Sequence, residues 1–60
     1  MKKKIIMLEG TLEGARKGES YKGVEIKDDT IILRDYDEFN DERTRINLTK
    51  EQLVKIVENL

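Results

Sequence analysis

The clearest structural signal in the chain is the segment Val24-Glu25-Ile26-Lys27-Asp28-Asp29-Thr30-Ile31-Ile32-Leu33. Apolar and polar residues alternate before the paired aspartates, and a second β-branched run follows them, which is typical of two strands joined by a tight turn. The facing pairs of a two-residue turn are then Ile26 with Ile31 and Val24 with Leu33. Because directly opposite residues share one face of a sheet, this register predicts a β-hairpin with four apolar side chains on a single face.

Further strands are predicted on both sides of this hairpin. Residues 43–48 alternate again and place Thr44, Ile46 and Leu48 on the core side. Towards the N-terminus, residues 5–8 are apolar and predict a strand that continues through Gly10 to residue 12, with a bulge or bend at the glycine. Residues 16–18 then predict a three-residue hairpin loop, and Tyr21 opens the next strand.

The last element is a helix that begins after Thr49. Thr49 and Gln52 have the spacing of a capping box, in which each side chain hydrogen-bonds the other residue's backbone N–H. Apolar residues recur at helical spacing from Leu53 to Leu60. A helix of three turns is marginal alone and needs a sheet to pack on, so we expect its apolar side to complete the core.

The sum is one α+β domain over residues 1–60: a small four-stranded antiparallel meander, with a C-terminal helix packed on one face. The size and the order of four strands and a helix resemble the small SH3-like barrels of archaeal chromatin proteins, a resemblance that implies a curled sheet. Those proteins are strongly basic and have an aromatic DNA-binding sheet. This chain has three aromatic residues and a net charge of -1, so no functional residue is carried over.

Composition limits how so short a chain can be stabilised. The 60 residues contain no Cys and no His, which leaves no disulfide and makes structural zinc very unfavourable. A domain of this size has little core to offset the entropy of folding. We therefore expect self-association, most simply as a homodimer.

Several classes of function are not expected. The chain has no His, and no Ser lies beside a plausible base, so the usual catalytic groups are missing. One small sheet with a helix also offers no substrate cleft. We therefore expect no enzyme and no cofactor. A calcium-binding EF-hand loop that starts at Asp35 would need Gly at position 40 and Glu at position 46, where the chain has Asn40 and Ile46, so no metal site is expected. The apolar run after the N-terminal lysines is too short for a signal peptide or a membrane helix, and we expect a cytoplasmic protein without membrane contact.

The favoured function is non-catalytic protein binding through an uncovered sheet face, an edge strand or the acidic loop formed by residues 37–42. Ile32 and Tyr36 lie on the sheet face opposite the core, and Phe39 lies in a loop where no core requirement places it. The structural alternative is that the sheet curls and covers Ile32 and Tyr36, and that Phe39 folds back to plug the open end of the sheet. The predicted protein-binding residues are Ile32, Tyr36, Asp37, Glu38, Phe39, Asp41 and Glu42. Small size and the absence of catalytic groups fit an inhibitor or adaptor such as a phage or mobile element encodes.

The alternative is a small nucleic-acid-binding module that uses a basic first hairpin. Residues 1–22 carry a net charge of +3, whereas residues 23–60 carry -4. The basic residues concerned are Lys2, Lys3, Lys4, Arg16, Lys17 and Lys22. Few aromatic residues accompany them, and lysines on an edge strand also prevent aggregation, so nucleic-acid binding here is the less favoured expectation.

Overall fold

Four strands and two helices follow one another in the computed structural model, which describes residues 3–60. The elements are β1 (Lys3–Glu9), α1 (Leu12–Arg16), β2 (Tyr21–Lys27), β3 (Thr30–Asp37), β4 (Glu42–Thr49) and α2 (Lys50–Glu58). The strands form one antiparallel sheet in the order β1-β2-β3-β4. The predicted α+β meander with a C-terminal helix is confirmed. Because β1 and β4 are the two opposite edges, the sheet stays open rather than closing as a barrel.

The central hairpin has the predicted register. Ile26 pairs with Ile31, and Val24 pairs with Leu33. Asp28 adopts a φ of 54° in the turn, a left-handed conformation that Asp tolerates better than most residues. The same parity continues into β4, where Ile46 lies opposite Leu33.

The segment between β1 and β2 differs from the sequence prediction. Instead of a continuous strand and a three-residue hairpin loop, residues 12–16 form the short helix α1. Gly10 turns the chain at a φ of +78°, and the Thr11 hydroxyl accepts a hydrogen bond from the Gly14 N–H at 3.0 Å. The register shift in β1 falls between Met7 and Glu9. A local helix cap therefore prevails over the apolar pattern that predicted a longer strand.

Helix α2 begins where its cap predicts. The Thr49 side chain accepts from the Gln52 N–H at 3.1 Å, and the Gln52 side chain accepts from the Thr49 N–H at 2.9 Å. The predicted packing against the sheet is far from complete, since α2 contains no buried residue and Val57 is 58% exposed. The expected core positions Ile46, Ile56, Val57 and Leu60 are all exposed, because one helix that mainly contacts β4 cannot cover a four-stranded sheet.

The pairing register assigns each strand residue to one of two faces. The apolar face carries Ile6, Val24, Ile26, Ile31, Leu33, Ile46 and Leu48. The opposite face, here the arginine face, carries Arg34, Arg43 and Arg45 together with Tyr21, Tyr36 and Ile32. Two apolar residues are buried in the described chain, and they are neighbours on opposite faces: Ile31 at 5% and Ile32 at 7% exposure.

The burial of Ile32 corrects one predicted binding residue. Ile32 does lie opposite the apolar face, as its parity predicted, but it is not accessible to a partner. It occupies the inner strand β3 between Glu25 on β2 and Asn47 on β4. Charged and polar residues are its direct neighbours on this face, and α1 lies against the β1–β2 part of the same face.

Candidate binding surfaces

The apolar face is only partly covered. Leu8, Leu33 and Ile46 line a groove across it, and Ile46 remains 48% exposed on the edge strand β4. Helix α2 adds further accessible apolar side chains, among them Val54, Ile56 and Val57. A half-exposed sheet face beside a half-exposed amphipathic helix is a surface that another protein can bury.

Charge is distributed unevenly along the apolar face. Asp35, Asp37, Glu42 and Glu9 lie towards one end of it, and Lys22 partly offsets them through an ion pair with Glu9 at 3.7 Å. Lys4 lies at the opposite end, across from Ile26. The face is thus an apolar centre with an acidic end and a basic end.

The arginine face collects basic residues that the sequence analysis did not single out. Arg34 and Arg45 lie directly opposite each other, and Arg43 lies two residues before Arg45 on the same face. The positions of this face in residues 3–60 include five basic side chains and one acidic side chain, Glu25. The alternation in residues 43–45 contained half of this signal; the β3–β4 register supplied the other half.

Glu25 neutralises part of this charge. It is 9% exposed, and its carboxylate forms ion pairs with Arg34 at 3.1 Å and Lys3 at 3.5 Å. Within the described chain, no carboxylate lies within 4.0 Å of the Arg43 or Arg45 guanidinium. Two arginines therefore keep charge that this face does not balance.

Aromatic side chains border the arginines. The Tyr21 and Tyr36 ring centroids are 6.4 Å apart, and the Arg43 guanidinium lies 4.4 Å from the Tyr36 centroid in a cation–π contact. The Tyr36 hydroxyl lies 3.3 Å from a carboxylate oxygen of Asp41. Partial desolvation of the ring and the nearby Asp41 charge raise the pKa of Tyr36 above its ordinary value.

The acidic loop between β3 and β4 uses its carboxylates to hold its own shape. Asp37 accepts hydrogen bonds from the Phe39 N–H at 3.0 Å and the Asn40 side-chain amide at 2.6 Å. These two bonds, with the Asn40 amide foremost, hold the pKa of Asp37 below its ordinary value. Ser20 and Glu38 exchange two further bonds, of 2.9 and 3.1 Å. The loop is braced, and Phe39 projects from it at 86% exposure.

The basic residues predicted for nucleic-acid binding are not brought together. Lys3 pairs with Glu25, Lys22 pairs with Glu9, and Lys17 pairs with Glu13 at 3.3 Å. Lys3 and Lys4 lie on opposite faces at the far end of β1 from α1, which carries Arg16. Lys2 lies outside the described residues.

Metal-ligating clusters and long apolar helices are two further features that could indicate a function. Between residues 3 and 60 no cluster of three metal-ligating side chains is found, and neither described helix has the length and apolarity needed to cross a membrane. Comparisons with protein-family models, with curated proteins and with solved structures find no match for this chain. The surfaces themselves are therefore the basis for any functional proposal.

Proposed function

We propose that this chain is a non-catalytic protein-binding module that works as a homodimer, with the apolar face and α2 forming the interface. The observation that carries the proposal is the amount of surface left open. A compact 7.0 kDa monomer exposes roughly 4,000 Å², whereas this chain exposes 5160 Å². The excess, roughly 1,100 Å² by the same scaling, exceeds the ~800 Å² that each partner buries in an interface of standard size.

The overall dimensions support the same proposal. The radius of gyration is 12.6 Å, compared with roughly 10 Å for a compact domain of this length. Small domains without disulfides or metals commonly gain their missing core by association. A second apolar layer would give the half-buried residues of the apolar face what α2 alone does not supply.

A second copy of the chain matches this surface in two ways. The chain carries both an open apolar sheet face and an open apolar helix side, so a two-fold arrangement covers both elements on both copies at once. An antiparallel arrangement also brings the acidic end of one apolar face to the Lys4 end of the other. That pairing of opposite charges favours the antiparallel arrangement of two copies over a parallel one.

The acidic loop is a second docking element in this proposal, directed at a different protein. Phe39 is an exposed aromatic anchor on a loop that the Asp37 and Glu38 hydrogen bonds hold in place. A braced loop loses little entropy on binding, and the nearby carboxylates favour a basic partner. Its 86% exposure argues against a structural role in closing the end of the sheet.

Finer features of the proposal rest on composition. An inhibitor or adaptor role, with a phage or mobile element as its source, is supported by small size and the lack of catalytic groups. A cytoplasmic location is supported by the absence of Cys from the sequence. Nucleic-acid binding by the first hairpin is disfavoured, because carboxylates partner Lys3, Lys17 and Lys22.

Sedimentation equilibrium across a concentration series tests the homodimer. We expect the wild-type chain to dimerise and its melting temperature to rise with protein concentration. Ile46→Lys and Val57→Lys place a charge in the proposed interface at half-exposed positions, so the monomer fold is spared while dimerisation weakens at least tenfold.

Phe39→Lys is the matched control, because it adds the same charge at an exposed apolar residue outside the interface. It should dimerise like the wild type. A chain that is monomeric at every accessible concentration contradicts the homodimer. Equal loss of dimerisation in all three variants would contradict an interface confined to the apolar face and α2.

A further inference from the structure

We propose that the arginine face binds single-stranded nucleic acid, with Arg43 and Arg45 on the phosphates and Tyr21 and Tyr36 beside the bases. This surface is distinct from the first hairpin and lies opposite the apolar face. It therefore stays accessible whether or not the chain dimerises. The inference does not depend on the function proposed above.

The first observation is an arrangement of charge that stability does not explain. Like charges directly opposite each other on neighbouring strands destabilise a sheet, yet Arg34 and Arg45 are such a pair. Glu25 neutralises Arg34 but is shared with Lys3. The chain as a whole has a net charge of -1, so the excess of positive charge on this face is local. A local positive field attracts an anion.

The second observation concerns the geometry of the donors. Arg34 is held in place by its 3.1 Å ion pair with Glu25, and its Nε is buried without a hydrogen-bond partner. Arg34, Arg43 and Arg45 border one open concavity of about 140 Å³ together with Tyr21, Thr44 and Asp35, and strand parity places Thr44 and Asp35 on the opposite face. Guanidinium groups match phosphate oxygens in a planar, two-bond geometry. The concavity thus brings three guanidinium groups together, of which Arg34 is fixed by its ion pair.

The third observation selects nucleic acid over an acidic peptide. Tyr21 and Tyr36 are two of the three aromatic residues in the chain, and both lie on this face beside the arginines. Both tyrosines are partly exposed, and aromatic rings next to a cationic track are what unpaired bases stack on in single-strand-binding proteins. Acidic peptides need the charge but not the rings. Duplexes, whose bases are already stacked, would use the arginines alone.

Fluorescence anisotropy with a labelled twelve-nucleotide thymidine strand at 50 mM salt tests the proposal. We expect Arg45→Gln to weaken binding at least threefold and to reduce the slope of log K against log salt by about 0.7, the value for removing one phosphate interaction on a single strand. Tyr21→Leu keeps an apolar side chain but removes the ring, and it should weaken binding about fivefold or more. Circular dichroism confirms that each variant is folded.

Arg16→Gln and Lys22→Gln are the matched controls, since each removes one basic side chain of the first hairpin and leaves the arginine face intact. Both should bind like the wild type within twofold. Duplex DNA of the same length and a polyglutamate peptide complete the set, and each should bind at least fivefold more weakly than the single strand. The inference is overturned if the strand does not bind at millimolar protein, if the controls lose as much affinity as Arg45→Gln, or if the duplex or the peptide binds equally well.

Discussion

The two faces of the sheet bury their central residues by different means. On the arginine face, Ile32 is as buried as Ile31 although charged and polar side chains surround it. Ion pairs with Glu25 hold those side chains close, and their charged ends remain in contact with water. The apolar face buries Ile31 but leaves Ile46 half exposed. Part of the arginine face is also bordered by α1, whose Leu12 and Ala15 line a cavity with Ile5 and Met7. The apolar face needs another layer, and α2 alone does not provide it.

The largest expected effects come from truncating the two buried isoleucines. Ile31→Ala and Ile32→Ala should each lower the free energy of unfolding by about 2–5 kcal/mol. Neither side chain is accessible to a partner, so each variant acts through the packing of its own face. If only the apolar face forms the dimer interface, Ile31→Ala should also weaken dimerisation per folded chain, while Ile32→Ala should not. Chemical denaturation at two protein concentrations, combined with sedimentation, measures both. Equal effects of the two variants on dimerisation would remove the proposed difference between the faces.

Gly10 directs the chain from β1 towards the arginine face. It turns the chain into α1, whose Leu12 and Ala15 border a cavity with the arginine-face residues Met7 and Glu25. Gly10→Ala requires a left-handed Ala and puts its Cβ 2.9 Å from the Ser20 carbonyl oxygen, so we expect a loss of about 1–3 kcal/mol in denaturation experiments.

Gly18→Ala, on the other side of α1, measures the cost of backbone strain without steric crowding. Gly18 also has a positive φ, +88°, but its Cβ would meet no atom within 4 Å. Its cost should therefore be the smaller of the two, about 1 kcal/mol. An equal cost for both variants would show that the close approach to Ser20 does not matter.

The two helix caps provide the next comparison. Thr49→Ala removes the cap of α2 and Thr11→Ala removes the cap of α1, and each should cost about 0.5–2 kcal/mol of stability. Because α2 belongs to the proposed interface, Thr49→Ala should also shift the dimer equilibrium towards monomer. Thr11→Ala should leave that equilibrium unchanged. Sedimentation of both variants is decisive, and a larger shift for Thr11→Ala would contradict the assignment of α2.

The smallest expected effect is the pH dependence of stability that arises from Asp37 and the acidic loop. The pKa of Asp37 is below its ordinary value of 3.8 in the folded chain, so its ionised form stabilises the fold above that pH. This contribution is lost as the pH falls from about 4 through the lower, folded-state pKa. Asp37→Asn should therefore show a shallower loss of stability between pH 4 and pH 2 than the wild type, measured by denaturation at each pH.

Asn40→Ala checks the cause of this shift. Removing the 2.6 Å hydrogen bond from the Asn40 amide should raise the pKa of Asp37 towards 3.8, as followed by NMR titration of the carboxyl carbon. An unchanged titration would assign the lowered pKa to the Phe39 N–H instead.

The candidate sites were predicted unevenly from sequence. The exposure of Phe39 and the opposite orientation of Ile32 follow from loop position and strand parity, and the structure agrees. The predicted strand parity already places Arg34, Arg43 and Arg45 opposite the core, but these residues are spread over two strands and were not recognised as one basic face. The β3–β4 register sets which arginines lie opposite each other, and a shift of one residue would move Arg43 and Arg45 to the other face.

The features that could be predicted are those encoded within a few residues of each other. The Asp28-Asp29 turn and the Thr49–Gln52 capping box are local hydrogen-bonded arrangements, and both formed as predicted. Helix α1 is also local, since it follows from the Thr11 cap that the sequence analysis did not recognise. Only the tertiary fold determines that Ile32 is buried while Val57 is not, and that Arg34 lies opposite Arg45. The burial of Ile32 and the pairing of the two arginines depend on which distant strand lies alongside and on how much surface one helix covers. No short stretch of chain determines either of these.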